Sequence, residues 1–225
     1  MRRALVFGGT GAVGREVLRE LAQAGVPATF TYLRSADRAR ALASEFLHRA
    51  VPVDLADEAA VAALVRGLEE TPTVLVHAAA VLGSPEEFKR VQAVNVTSAF
   101  VAVRELAPRM ERAGGGDIVF IGALDRTQSL PLPAAFAASQ GALAAMAMAL
   151  AKELGPKGIR VNLLASGLLN DGLSRGLDRK LIEDYKAFSA LRRTGTAAEV
   201  ARAVRWLALE TTYMSGKVVP VNGGI

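Results

Sequence analysis

Three groups of residues in this sequence have the types and spacing for chemistry. Gly8-Gly9-Thr10-Gly11-Ala12-Val13-Gly14 follows a short apolar run, and Gly9, Gly11 and Gly14 satisfy G-x-G-x-x-G. A loop of this kind, set between a strand and a helix, lets backbone N–H groups and a helix N-terminus meet a pyrophosphate. The alternative is a tight strand–helix turn with no ligand. No carboxylate follows the second apolar run until Asp37, so nothing there is placed to hold the ribose hydroxyls of NAD. Arg34 and Ser35, with Arg38 nearby, could instead hold the 2′-phosphate of NADP, or Arg34 is a plain surface arginine. His77 ends a central apolar run, where open sheets bind ligands. It is either a general acid–base or a buried neutral imidazole. Asp125 and Arg126 either face a substrate cleft or cap a loop in water. No Ser/His/Asp nucleophile spacing is present, and two histidines with no cysteine leave no metal-ligand cluster.

These residues need a scaffold. Apolar runs at Ala4–Gly8, Pro27–Leu33, Ala50–Val53, Thr73–His77, Asp117–Ile121, Ile159–Leu164 and Val218–Val221 read as strands. Helix-length segments separate them. Arg15–Ala24 and Asp57–Glu69 carry apolar residues at three- and four-residue spacing, with Asp57 placed to cap. This alternation predicts an α/β fold with a parallel sheet and helices on both faces. No linker or repeat divides the chain, so residues 1–225 read as one domain; Gly114-Gly115-Gly116 is a turn before a strand. The stretch from Ala134 to Ala151 is long enough for a membrane span, but Ser139, Gln140 and Gly141 interrupt it. A buried helix closely packed against another is the expectation. The apolar start at Ala4–Phe7 is too short for a signal peptide because glycines follow at once.

The absence of cysteine excludes disulfides and fits a reducing, cytoplasmic setting. The net charge of +5 comes from arginines scattered along helices, such as Arg104, Arg109 and Arg112. That pattern describes a solvated surface, or one that meets an acidic partner such as an acyl carrier protein. No basic motif with interleaved aromatics points to nucleic acid.

Further motifs carry a resemblance. Val53-Asp54-Leu55, Val94-Asn95-Val96-Thr97, Ile159-Arg160-Val161-Asn162 and Val221-Asn222-Gly223-Gly224 resemble the short-chain dehydrogenase/reductase family. The tail from Leu191-Arg192-Arg193-Thr194-Gly195 through Ala198-Glu199-Val200-Ala201 is most similar to the 3-oxoacyl-acyl carrier protein reductases. The resemblance implies a Rossmann-type doubly wound seven-stranded parallel sheet, a nicotinamide cofactor and usually a homotetramer. It implies cofactor contacts from Gly8, Gly9, Thr10, Gly11, Val13, Gly14, Arg34, Ser35, Asp54, Leu55, Ala78, Ala79 and Asn95. Asp54 would meet the adenine, Asn95 would help hold a proton-relay water, and the helix from Ala134 to Leu154 would form part of a dimer interface.

The departures fall where the family keeps its chemistry. Ala123 stands where the family has Ser, and Phe136-Ala137-Ala138-Ser139-Gln140 stands where it has Tyr-x-x-x-Lys. His77-Ala78-Ala79-Ala80 replaces Asn-Asn-Ala-Gly, and Ser166-Gly167 replaces Pro-Gly. Positioned acid–base groups contribute ~10²–10⁴ in rate, so their combined loss leaves a trace of ordinary ketoreduction. Three functions follow. One is a weakly active or non-catalytic NADP(H)-binding subunit, alone as a homo-oligomer or paired with an active paralogue. Another is a non-redox dehydratase, isomerase or cyclase on a carrier-bound or polyketide-like substrate. The last is an NADPH-dependent reductase with a substitute proton donor. Asn95, His77 and Asp125 are the candidate polar groups for such chemistry.

Overall fold

A computed structural model of the chain describes residues 2–123 and 132–225. Asp125 and Arg126 lie outside the described residues. Seven strands form one sheet: β1 (Ala4–Phe7), β2 (Ala28–Tyr32), β3 (Arg49–Pro52), β4 (Val74–His77), β5 (Gly116–Gly122), β6 (Ile159–Ser166) and β7 (Val218–Val221). Their order is β3-β2-β1-β4-β5-β6-β7, and each neighbouring pair is parallel. The chain winds outward from β1 to β3, then returns to place β4 on the other side of β1. The crevice at the carboxyl ends of β1 and β4 is therefore the switch point where such sheets bind ligands.

Helices cover both faces. Alternate residues of each strand feed opposite cores, because strand side chains repeat every second position. Leu5, Phe7, Leu75, Ile118 and Phe120 pack towards α3 (Glu58–Arg66), α5 (Ser98–Arg112) and α6 (Ala134–Leu154). Ala4, Val6, Val74, Val76 and Val119 pack towards α1 (Ala12–Gln23), α2 (Ala36–Phe46) and α8 (Ala197–Arg205). The central strands are mostly apolar since neither face meets water, with buried exceptions such as His77 and Asp117. Two further helices, α4 (Phe88–Gln92) and α7 (Arg179–Phe188), flank the carboxyl end of the sheet.

The strands fall where the sequence put them, with edges shifted by a few residues. Helix α1 starts earlier than its apolar periodicity suggests, because Ala12 and Val13 of the glycine loop already form its first turn. Asp57 caps α3 as expected, accepting from the Ala60 N–H at 3.0 Å. Between α4 and α5 the helix widens into a π turn, Ala93–Thr97, which holds Asn95. Helix α6 is long and apolar enough to cross a membrane by length and composition. However, Phe136, Leu143, Ala147, Leu150 and Leu154 are buried in the protein core, and Ala134, Ala138, Gly141, Ala145 and Ala149 form its exposed stripe.

Candidate cofactor cleft and degenerate active site

The glycine loop is held from below by β2. Thr31 is buried; its hydroxyl accepts from the Gly8 N–H at 3.0 Å and its carbonyl from the Gly9 N–H at 2.9 Å. Gly8 takes φ +78°, a conformation that costs glycine nothing. At Gly14 the reason is space: a Cβ there would stand 2.1 Å from the Gly8 carbonyl oxygen. The loop thus lies flat across the start of α1, with the helix's first N–H groups turned to the crevice.

Two clefts open on this loop. One, of about 330 Å³, is lined by Gly8, Thr10, Gly11, Thr31, Tyr32, Leu33, Arg34, Val53, Asp54, Leu55, Ala78, Ala79, Ala80, Val81, Arg90 and Val94. The other, of about 230 Å³, is mostly apolar and includes Val13, Leu82, Ile121, Ala123, Leu132, Phe136, Gln140, Ser166, Leu168, Leu173 and Leu177. Gly11, Ala78 and Ala80 line both. The two spaces therefore meet over the N-terminus of α1, both mostly apolar in lining, with Arg34, Asp54 and Arg90 on the first. That is the shape a dinucleotide needs: two flat halves joined by a pyrophosphate over helix N–H groups.

Among the anticipated cofactor contacts, Gly8, Thr10, Gly11, Arg34, Asp54, Leu55, Ala78 and Ala79 line the first cleft and Val13 the second. Gly9 and Gly14 shape the loop from beneath, and Ser35 precedes α2 without lining either cleft. Asp54 keeps one carboxylate oxygen on the Ala56 N–H at 2.9 Å, which fixes the turn after β3. Sequence reasoning missed Arg90. It lines the first cleft from α4, a helix that no local pattern announces.

Asn95 is fully buried and does not reach the cleft with its side chain. Its amide accepts from the Val81 N–H at 2.9 Å and donates to the Val81 carbonyl at 3.0 Å and to Ser139 Oγ at 2.9 Å. It splints the stretch after β4 to α6. His77 is also fully buried and lines neither cleft. It lies beside Phe7 and Phe120, with ring centroids 5.7 and 6.5 Å away. Ser98 donates its only proton to the Val94 carbonyl at 2.7 Å, so the 2.7 Å contact between His77 Nε2 and Ser98 Oγ assigns the proton to Nε2. Nδ1 has no hydrogen-bond partner among the described residues. Burial pulls the imidazole pKa down to about 4, against hydrogen bonds that favour its charge. The structure thus separates His77 from Asn95's network and from the cleft.

The three altered positions do come together in the apolar cleft. Ala123 directly follows β5, while Phe136 and Gln140 lie one turn apart on α6, both almost fully buried. Gln140 Oε1 accepts from the Ala123 N–H at 3.0 Å and its Nε2 donates to Ser139 Oγ at 3.2 Å. Its amide is spent on joining the sheet to the helix. Ser166 Oγ donates to the Gly122 carbonyl at 3.2 Å, the same strand end from the other side. Another tyrosine, Tyr185, donates to the Asn222 carbonyl at 2.7 Å, and burial pushes its hydroxyl up. It lines a smaller neighbouring cavity, not this cleft.

Comparison with known proteins gives the same picture. Residues 9–225 match the family described as enoyl-(acyl carrier protein) reductase. The 3-oxoacyl-acyl-carrier-protein reductase MabA of Mycobacterium tuberculosis is 30% identical over 235 residues, covering 100% of this chain and 92% of its own. A solved short-chain dehydrogenase/reductase from Serratia marcescens superposes with a TM-score of 0.89 at 30% identity, covering 99% of this chain and 97% of that one. A blue fluorescent protein from a metagenomic library, solved in complex with NADPH, gives 0.90 at 28% identity over 99% and 97%.

Proposed function

The chain belongs to the short-chain dehydrogenase/reductase family, and from that premise we propose that it binds NADP(H) while lacking the groups that make its relatives efficient ketoreductases. The cofactor half of the reading rests on fit. The adenosine-sized cleft offers Arg34 and Arg90 but no carboxylate at the end of β2, which suits a 2′-phosphate. The glycine loop and α1 would take the pyrophosphate, and the apolar cleft would take the nicotinamide, which when bound would supply hydride chemistry. Relatives that bind NADPH or are named for 3-oxoacyl-acyl-carrier-protein reduction support this choice.

One observation carries the catalytic half: Ala123, Phe136 and Gln140 bring no transferable proton to the apolar cleft, and Gln140's amide is committed to the Ala123 N–H. Phe136 presents tyrosine's ring without its hydroxyl. Gln140 has no charge to hold a ribose or to lower a neighbour's pKa. What remains among the described residues is a mostly apolar pocket whose one carboxylate, Asp171, is tied to Arg15 and Arg175, a lining that would orient and shield a bound group. The protein then works as a weakly active or non-catalytic subunit, residues 1–225 acting as one domain. The exposed small-residue stripe of α6 fits pairing with a second copy or with an intact paralogue.

The test is a comparison of ketoreduction by the native protein and by Ala123→Ser/Phe136→Tyr/Gln140→Lys, with a 3-oxoacyl substrate and NADPH. Little turnover in the first and a rise of ~10²-fold or more in the second is expected. Efficient turnover by the native protein would overturn the reading. So would a folded, NADPH-bound triple variant that gains nothing, since the pocket would then be built for something else.

A further inference from the structure

The segment that leaves β6 folds back over the first turn of α1. Its short turn, Gly172–Gly176, is introduced by Asp171, whose carboxylate accepts from the Gly172 N–H at 2.6 Å. The same carboxylate pairs with Arg15 on α1 and with Arg175 Nε at 2.9 Å. Gly172 takes φ +71°, and a Cβ added there would stand 3.1 Å from the Ala12 Cβ. The segment therefore rests directly on the helix start. Asp171, Gly172, Leu173 and Leu177 line the apolar cleft together with Gly11, Ala12 and Val13.

An anion is thus already docked beside the positive pole of α1, where the macrodipole favours negative charge. We propose that Asp171 is a charge latch: through Arg15 it holds the segment down on α1, and a phosphate-bearing ligand arriving at the glycine loop competes with its carboxylate. This rests on the cofactor reading above and adds to it how the cleft is controlled. The carboxylate and the incoming phosphate would share one helix pole, so each weakens the hold of the other. By linkage, the factor by which the bound ligand weakens the carboxylate's hold is the factor by which the carboxylate weakens the ligand's. Arg15 and Asp171 lie 156 residues apart in sequence, and the latch ties the entry of phosphate to the position of Leu173 and Leu177 over the apolar half of the cleft.

Asp171→Asn separates charge from structure, because the Asn oxygen can still accept from the Gly172 N–H. The full-length protein is titrated with NADPH by calorimetry, and amide hydrogen exchange is followed over residues 170–177 without ligand. In Asp171→Asn we expect faster exchange in that segment and an NADPH Kd lower by about fivefold, at the weak end of typical couplings. Arg15→Gln, which frees the segment but leaves the carboxylate, should speed exchange without tightening NADPH. Unchanged exchange in both variants, or weaker NADPH binding in a folded Asp171→Asn, overturns the latch. Absence of NADPH binding in the native protein and both variants instead strikes the cofactor reading, and the competition falls with it.

Discussion

His77 shows how one residue's meaning depends on its surroundings. From sequence it ends a central strand and has the pKa of an acid–base group. In the fold it is sealed between Phe7 and Phe120, its Nε2–H given to Ser98. Its titration then becomes a matter of stability. Its folded-state pKa, about 4, lies below the usual 6.5, so the unfolded chain takes up the proton first as pH falls. The stability it contributes is present above 6.5 and lost as pH falls towards 4. Asp117 runs the other way: burial lifts it from 3.8 to about 6 despite Arg160 and Arg2. Its contribution is present below 3.8 and lost as pH rises through 6. In the native protein the two effects offset each other between about 4 and 6. His77→Asn removes one of them. Urea unfolding should show the variant gaining on the native protein by about 2–3 kcal/mol between pH 7 and pH 4.5. A pH-independent difference would mean that His77 is not held neutral. The glycine loop was legible in the sequence because its spacing is local. The partner of His77 was not, because Ser98 reaches it from a different element.

At the scale of elements, α6 joins two requirements. Its buried face carries Phe136, Ser139 and Gln140 against β5 and the stretch after β4, and its outer face is alanine and glycine. Composition marked the stretch from Ala134 to Ala151, and the family resemblance carried the helix on to Leu154, where it ends. Which face looked inward was not, because a helix of nearly uniform alanine has almost no amphipathic signal. Small residues allow close helix approach, so the outer stripe is where a second subunit should pack. Ala145→Arg places a long charged side chain in the middle of that stripe. Sedimentation velocity should show the native protein as a dimer or tetramer and the variant shifted to a smaller species with its fold intact. An unchanged sedimentation coefficient would send the interface to another surface.

The whole molecule is a parallel sheet whose strand order was implied by motif order, and whose clefts arise only when the ends of β1, β2, β4, β5 and β6 converge. Arg90 and Leu177 enter the clefts from segments with no motif of their own, which is why the sequence did not give them away; Asp171 stood out on its loop, but what that loop closes over did not. Those contributions make cofactor binding a property of the folded whole. NADPH at a hundred times its Kd should stabilise the protein by about 2.7 kcal/mol. For a chain of this size that is a rise in Tm of roughly 5–10 °C. No rise with NADPH, under conditions where an active relative shows one, would remove the cofactor from the account.

The bond between Gln140 and the Ala123 N–H bears on how this sequence can change over evolutionary time. A lysine at residue 140 has no acceptor to offer. Arriving alone, it would leave the half-buried Ala123 N–H without its partner, a loss of about 1 kcal/mol, and it would bring no turnover while Phe136 and Ala123 stay as they are. The order of exchange therefore matters: a lysine here costs stability before it can return anything, and the Gln140 amide makes residue 140 the last of the three positions to change without loss.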